Sequence, residues 1–234
     1  KNSSHEPVHH GALQDRRKPL SPCKDLLPVS RDFYGIMIKY PEPGRVKTRL
    51  AEDIGTRKAA LICRQITELV IKQTLPAAAE YERFVFYDPP ERINDFESWL
   101  PREKFIAQTG SDVGERMDNA VRHLLNSGAE KAVITGADIP ELTSRTVLQA
   151  FIMLDHVDVV VGPACDGGYY LIGMKSPMSE LFSKIPWGTG SVFAATVRTI
   201  NNSGKSYGFL PVLSDLDTIE DLGHIYKEIY HLEE

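Results

Sequence analysis

An α/β domain with a mainly parallel sheet covered by helices is what this sequence predicts. Two observations carry that expectation. From Phe33 onward, short apolar runs alternate with stretches whose apolar residues recur at helical spacing. The run VDVVVGP (157–163) is apolar almost throughout, as expected of a strand buried on both faces.

The elements follow in order. FYGIMI (33–38) is bounded by turn residues and reads as a buried strand. TRKAALICRQITELVIKQTL (56–75) places Ile62, Ile66, Leu69 and Val70 on one helical face. RFVFYD (83–88) and KFIAQ (104–108) read as strands. GERMDNAVRHLL (114–125) reads as a helix with Met117, Val121, Leu124 and Leu125 inward. KAVITGAD (131–138) is a strand running into a loop, and SRTVLQAFIML (144–154) a helix. YYLIGM (169–174) is strand-like, TGSVFAATVRTI (189–200) helical, SYGFLPVL (206–213) extended and TIEDLGHIYKEIYHL (218–232) a closing helix.

The 234 residues suit one large domain, with 42% apolar and 25% charged residues. Residues 1–28 are rich in Pro, Ser and charge and are expected to form a polar extension, with a single domain over 29–234. The net charge of −5 argues against general nucleic-acid binding. No apolar stretch is long enough for a membrane span, and the first residues lack the apolar core of a secretory signal. Cys23, Cys63 and Cys165 are odd in number and lack metal-site spacing, so they are expected to be reduced thiols in a cytoplasmic protein. The first strand is not followed by GxGxxG, which argues against a dinucleotide-dependent redox enzyme.

In sheets of this kind, ligands bind where strands give way to helices. Four such loops stand out. YPEPGRVKTRLA (40–51) concentrates Arg45, Lys47 and Arg49 behind Gly44, which permits close backbone approach. Arginine forks and a lysine point charge suit phosphate oxygens; a solvated basic loop is the alternative. ITGADIPEL (134–142) puts Asp138 just beyond a strand, as a Mg²⁺ or Mn²⁺ ligand or as a turn or cap residue. GPACDGGYYLIGM (162–174) carries Asp166, Gly167 and Gly168, as an acceptor-binding turn or a plain hairpin turn.

LSDLDTIEDL (213–222) is the fourth. Asp215 and Asp217 alternate, and so share a face of an extended segment. Thr218 and Asp221 form a capping box with Asp in the acidic position. That leaves Asp217 free to be a second metal ligand. In QTGSDVGERM (108–117), Arg116 falls in the first helical turn. A cation there opposes the helix dipole unless an anion lies nearby or Asp112 or Glu115 pairs with it.

Taken in order, PGRVKTRL, QTGSDVGERM, TGADIPEL, DGGYYLIGM and LDTIEDL resemble a bacterial family of glycosyltransferase-A-like proteins, the nucleotide-diphospho-sugar transferases, some of them known only as a domain of unknown function. The resemblance runs from about Phe33 to the C-terminus. It implies the nucleotide-diphospho-sugar transferase fold, with a mixed, mostly parallel sheet between helices. The wider group includes nucleotidyltransferases. Phospholactate guanylyltransferase is similar in the first motif, and sugar-acid cytidylyltransferases have a closing segment similar to DTIEDL (217–222). By that resemblance Asp138 and Asp217 hold Mg²⁺ or Mn²⁺; read from their loops, Gly44, Arg45, Lys47, Arg49 and Arg116 are the candidates to meet nucleotide phosphates. Lys47 and Asp166 are the catalytic candidates, and Asp166, Gly167 and Gly168 face an acceptor. Ile219 stands where those cytidylyltransferases have Pro, and Gly136 where a DxD signature has its first Asp.

The expected activity is transfer from a nucleotide-activated donor to a small acceptor. Sugar transfer is placed first. Nucleotidyl transfer from a nucleoside triphosphate, with pyrophosphate release, is the alternative. A non-catalytic nucleotide-binding protein comes third.

Overall fold

The computed structural model describes residues 31–223. Among them seven strands form one sheet: β1 (Asp32–Lys39), β2 (Glu82–Asp88), β3 (Phe105–Ala107), β4 (Lys131–Thr135), β5 (Val159–Pro163), β6 (Tyr169–Met174) and β7 (Tyr207–Phe209). The helices are α1 (Thr48–Ile54), α2 (Thr56–Gln73), α3 (Ile93–Trp99), α4 (Val113–Asn126), α5 (Ser144–Leu154) and α6 (Val192–Asn202). The strand order is β3-β2-β1-β4-β6-β5-β7. All neighbours are parallel except that β6 runs antiparallel to both β4 and β5.

Side-chain alternation along the strands divides the core in two. Tyr34, Ile36 and Ile38 of β1 pack on one face with Ile66 and Val70 of α2, Phe96 of α3 and Phe151 of α5. Phe33 faces the other way, with Phe86, Val121 and Leu124 of α4 and Ile200 of α6. β5 serves both layers, with Val160 in the first and Val159 and Val161 in the second, as an unbroken apolar strand requires.

Within the described residues each expected strand and helix is present, and α5 and β6 coincide with their expected bounds. Two short helices were not expected. TRLAEDI is α1 and not part of a loop, and α3 fills the connection from β2 to β3. The closing helix expected over 218–232 begins at Ile219; past Gly223 it lies outside the described residues, as does the expected extension over 1–28. Among the described residues, no helix is long and apolar enough to cross a membrane. Cys63 and Cys165 are both free thiols.

The topology places the site. β1 connects outward to β2 on one side, and β4 lies on its other side. The sheet therefore changes direction between β1 and β4, and the loops after those two strands open a crevice at their carboxyl ends. Because β6 is antiparallel, it is the loop before β6 that reaches the same rim.

Candidate active site

Lys47 is the centre of this rim. It precedes α1 in a left-handed backbone conformation (φ 46°), which costs a non-glycine residue about 1–2 kcal/mol. Its side chain is 3% exposed, and its Nζ lies 2.6 Å from Asp138 Oδ1 and 3.0 Å from Asp217 Oδ1. Burial alone would push the ammonium down. The carboxylates of Asp138 and Asp217 outweigh that and hold it above the ordinary lysine range.

Backbone bonds hold the two aspartates together. Leu216 N–H donates to the carbonyl of Asp138 (3.1 Å), so Asp217 follows a residue tied to Asp138 itself. Leu216 is buried, and the Asp217 N–H donates to Asp221 Oδ2 at 3.0 Å. The expected capping box is present: Thr218 N–H and Oγ1 donate to Asp221 Oδ2, and Asp221 N–H donates to Thr218 Oγ1.

The third loop is stitched to the fourth. Leu213 N–H donates to Pro163 O and Cys165 N–H to Leu213 O, which runs residues 163–165 beside 213. Gly167 and Gly168 make the β5–β6 turn, in which Ala164 N–H donates to Gly168 O. Asp166 closes that turn through Oδ1, which accepts from Gly168 N–H at 2.7 Å. Gly167 has φ +85°, and a Cβ there would lie 2.3 Å from the carbonyl oxygen of Gly190. Asp215 and Asp217 both reach the cleft, as their alternation predicts. Burial first, then the facing Asp166, pushes the Asp215 carboxyl above the usual carboxylate range.

These loops enclose a cleft of about 690 Å³, within the range of small-molecule sites. Arg45, Lys47, Arg49, Asp138, Asp166 and Asp217 all line it. Arg45 is exposed and pairs with Glu42 at 3.5 Å, and Arg49 is exposed as well. Gly44 turns the chain at φ +83°, a conformation that favours glycine. Arg116 does not line this cleft. Its Nη1 pairs with Asp88 Oδ2 at 2.9 Å and its Nε donates to Gly110 O. Neither the Asp112 nor the Glu115 carboxylate forms its ion pair: Asp112 Oδ1 caps α4 by accepting from Glu115 N–H, and Glu115 accepts from Ser111.

Several cleft residues carry no sequence expectation. Cys63 of α2 reaches the wall beside Lys47, and burial followed by the nearby Asp138 pushes its thiol up to about 11. Trp187 sits edge-on to Tyr169, with ring centres 6.1 Å apart, and begins the loop WGTG (187–190). That pattern of an aromatic before paired glycines was the signal available for it.

Among the described residues, no group of three or more His, Cys, Asp or Glu side chains is arranged to hold a metal ion. The pair Asp138 and Asp217 nevertheless fits Mg²⁺ or Mn²⁺. Both offer hard oxygen donors, both are about half exposed (56% and 40%), and such ions often take one or two carboxylates plus substrate phosphates and water.

Comparison with known proteins agrees with this architecture. A structure from Desulfovibrio desulfuricans G20, provisionally assigned as a nucleotide-diphospho-sugar transferase, is 36% identical over 85% of this chain and 87% of its own, with a TM-score of 0.80. CMP:2-keto-3-deoxy-manno-octonic acid synthetase, solved with CTP, shares the fold at 14% identity (TM-score 0.54, 86% of this chain, 99% of that one). A cytidylyltransferase from Leptospira borgpetersenii does so at 11% (TM-score 0.54, 88% and 89%). Comparison with curated protein sequences gave no match. The fold is thus the nucleotide-diphospho-sugar transferase fold expected from the sequence. Residues 71–189, half of the chain, match the family described as "Uncharacterized protein conserved in bacteria (DUF2064)", and the chain belongs to that family.

Proposed function

We propose that the chain is a transferase that uses a nucleotide-activated donor together with a divalent metal, and that its reaction is sugar transfer from a nucleoside-diphosphate sugar. The observation that carries this reading is the meeting of Lys47 with Asp138 and Asp217, from three loops far apart in sequence, at one point of the cleft. The relative from D. desulfuricans, assigned to the nucleotide-diphospho-sugar transferases, supports the same chemistry.

Asp138 and Asp217 would hold Mg²⁺ or Mn²⁺, which when bound neutralises phosphate charge and stabilises the leaving diphosphate. Lys47 supplies a second cation at the same place, and Arg45 and Arg49 offer planar forks from the exposed side of the loop. Asp166 keeps one oxygen on the Gly168 amide and directs the other carboxylate oxygen to an acceptor hydroxyl. In the transfer, the acceptor oxygen bonds to the anomeric carbon and the bond from that carbon to the phosphate oxygen breaks. The electron pair leaves with the nucleoside diphosphate, and the hydroxyl proton passes to Asp166. Arg116 is engaged by Asp88 outside the cleft, so no phosphate contact is assigned to it.

Nucleotidyl transfer is the second reading, favoured by Gly136 at the position of a first DxD aspartate. There a substrate oxygen attacks the α-phosphate of a nucleoside triphosphate and pyrophosphate leaves, with the Arg45–Arg49 loop on the outer phosphates.

A thermal-shift panel with Mn²⁺ separates them. Stabilisation by one UDP-, GDP- or dTDP-sugar, lost in Asp138→Asn and in Asp217→Asn, is the expected result. Stabilisation only by nucleoside triphosphates, with pyrophosphate release, replaces the first reading by the second. A flat response to every nucleotide ends both.

A further inference from the structure

Lys47 has partners that a simple phosphate-gripping lysine does not need. Of the three neighbouring cations, Arg45 in the loop and Arg49 in α1 are exposed, and only the Lys47 side chain is turned inward and buried. Its left-handed backbone is what aims it there. The backbones that carry Asp138 and Asp217 are tied together by the Leu216 N–H to Asp138 carbonyl bond, so the two carboxylates share one place, repel each other and both meet Lys47 there. One ammonium balances one of those two negative charges. A divalent ion would balance both, at the same oxygens. A single lysine stem cannot leave that point without another anion to receive its charge, because 3% exposure leaves it little water.

We propose that Lys47 is an exchangeable internal counter-ion: it holds the Asp138–Asp217 pair together, competes with the divalent metal for their oxygens, and moves to phosphate when a phosphate ligand arrives. Metal and phosphate therefore strengthen each other's binding, and the strengthening is reciprocal. The inference rests on Asp138 and Asp217 being the metal ligands, as proposed above.

The experiment is a Mn²⁺ titration of the full chain followed by the electron paramagnetic resonance of free Mn²⁺, at neutral pH, with and without inorganic phosphate as the probe. Wild type is compared with Lys47→Met and Lys47→Gln. Both variants leave carboxylates that are already half exposed, and circular dichroism checks their folding. Without phosphate, both variants should bind Mn²⁺ about fivefold or more tightly than wild type. Phosphate should tighten Mn²⁺ binding by wild type several-fold more than it does in the variants. Equal or weaker Mn²⁺ binding by the variants overturns the competition, and a phosphate effect as large without Lys47 as with it overturns the coupling. If no form binds Mn²⁺ even with phosphate, or if Asp138→Asn binds as wild type does, the metal assignment itself fails, and this inference with it.

Discussion

At the scale of single residues, the turn glycines separate backbone conformation from crowding. Gly167 and Gly188 both have positive φ, at +85° and +77°. A methyl group at 167 would strike the Gly190 carbonyl, whereas at 188 it would meet nothing within 4 Å. Gly167→Ala should therefore cost roughly 2–4 kcal/mol in urea unfolding, and Gly188→Ala only about 1 kcal/mol. Equal costs would show that the 167–190 contact does not constrain the loop. The basic loop was legible residue by residue, since Arg45, Lys47 and Arg49 all reach the cleft. The difference among them was not. Burial of Lys47 depends on a left-handed backbone and on partners 91 and 170 positions later, and no local pattern encodes either. Arg116 shows the reverse case. Its place in the first turn of α4 pointed to an anion, and the anion is the Asp88 side chain at the end of β2.

At the scale of elements, long periodic segments were readable and short ones were not. α2 and α5 each bury a regular apolar face. α1 buries only Leu50 and α3 only Phe96, too few positions to establish a period. The antiparallel run of β6 was also hidden, because an apolar strand reads alike in either direction. Two element contacts can be tested. Arg83 on β2 is buried, donates to the carbonyl of Ile71 in α2, and pairs at 2.5 Å with Glu103 ahead of β3. Glu103→Ala leaves that guanidinium without its carboxylate and should cost about 3 kcal/mol by chemical denaturation.

Asp221 gives a pH test at the start of the closing helix. Burial would raise its carboxyl, but the amides of Asp217 and Thr218 and the Thr218 hydroxyl hold it below the ordinary range of 3.8. A depressed value contributes stability above the unfolded-state value and loses it as pH falls through the folded one. Asp221→Ala should thus be about 1 kcal/mol less stable than wild type near neutrality, with the gap closing below about pH 4. A gap independent of pH would show that the carboxylate form does not matter there.

At the scale of the whole molecule, the sheet brings four loops to one rim. The rule that ligands gather at the carboxyl ends of strands singled out all four loops, and they do meet at one cleft. What that rule could not supply was the stitching between them, Leu216 to Asp138 and Cys165 to Leu213, since backbone bonds between loops leave no mark on side-chain order. The functional test has a size at this scale. A ligand present at a hundred times its dissociation constant adds about 2.7 kcal/mol, or about 5–10 °C in melting temperature for a domain of this length. A nucleotide that binds as proposed should reach that range only with the metal present.

The bond from Leu216 to Asp138 also means that the cleft depends on a segment beyond the seventh strand. A polypeptide halted before Ser214, or clipped by a protease at the exposed Val212, retains all seven strands but loses Asp217 and the buried Leu216 from the first packed layer. On the proposed reading, such a fragment would lose metal-dependent stabilisation by nucleotide while keeping its sheet.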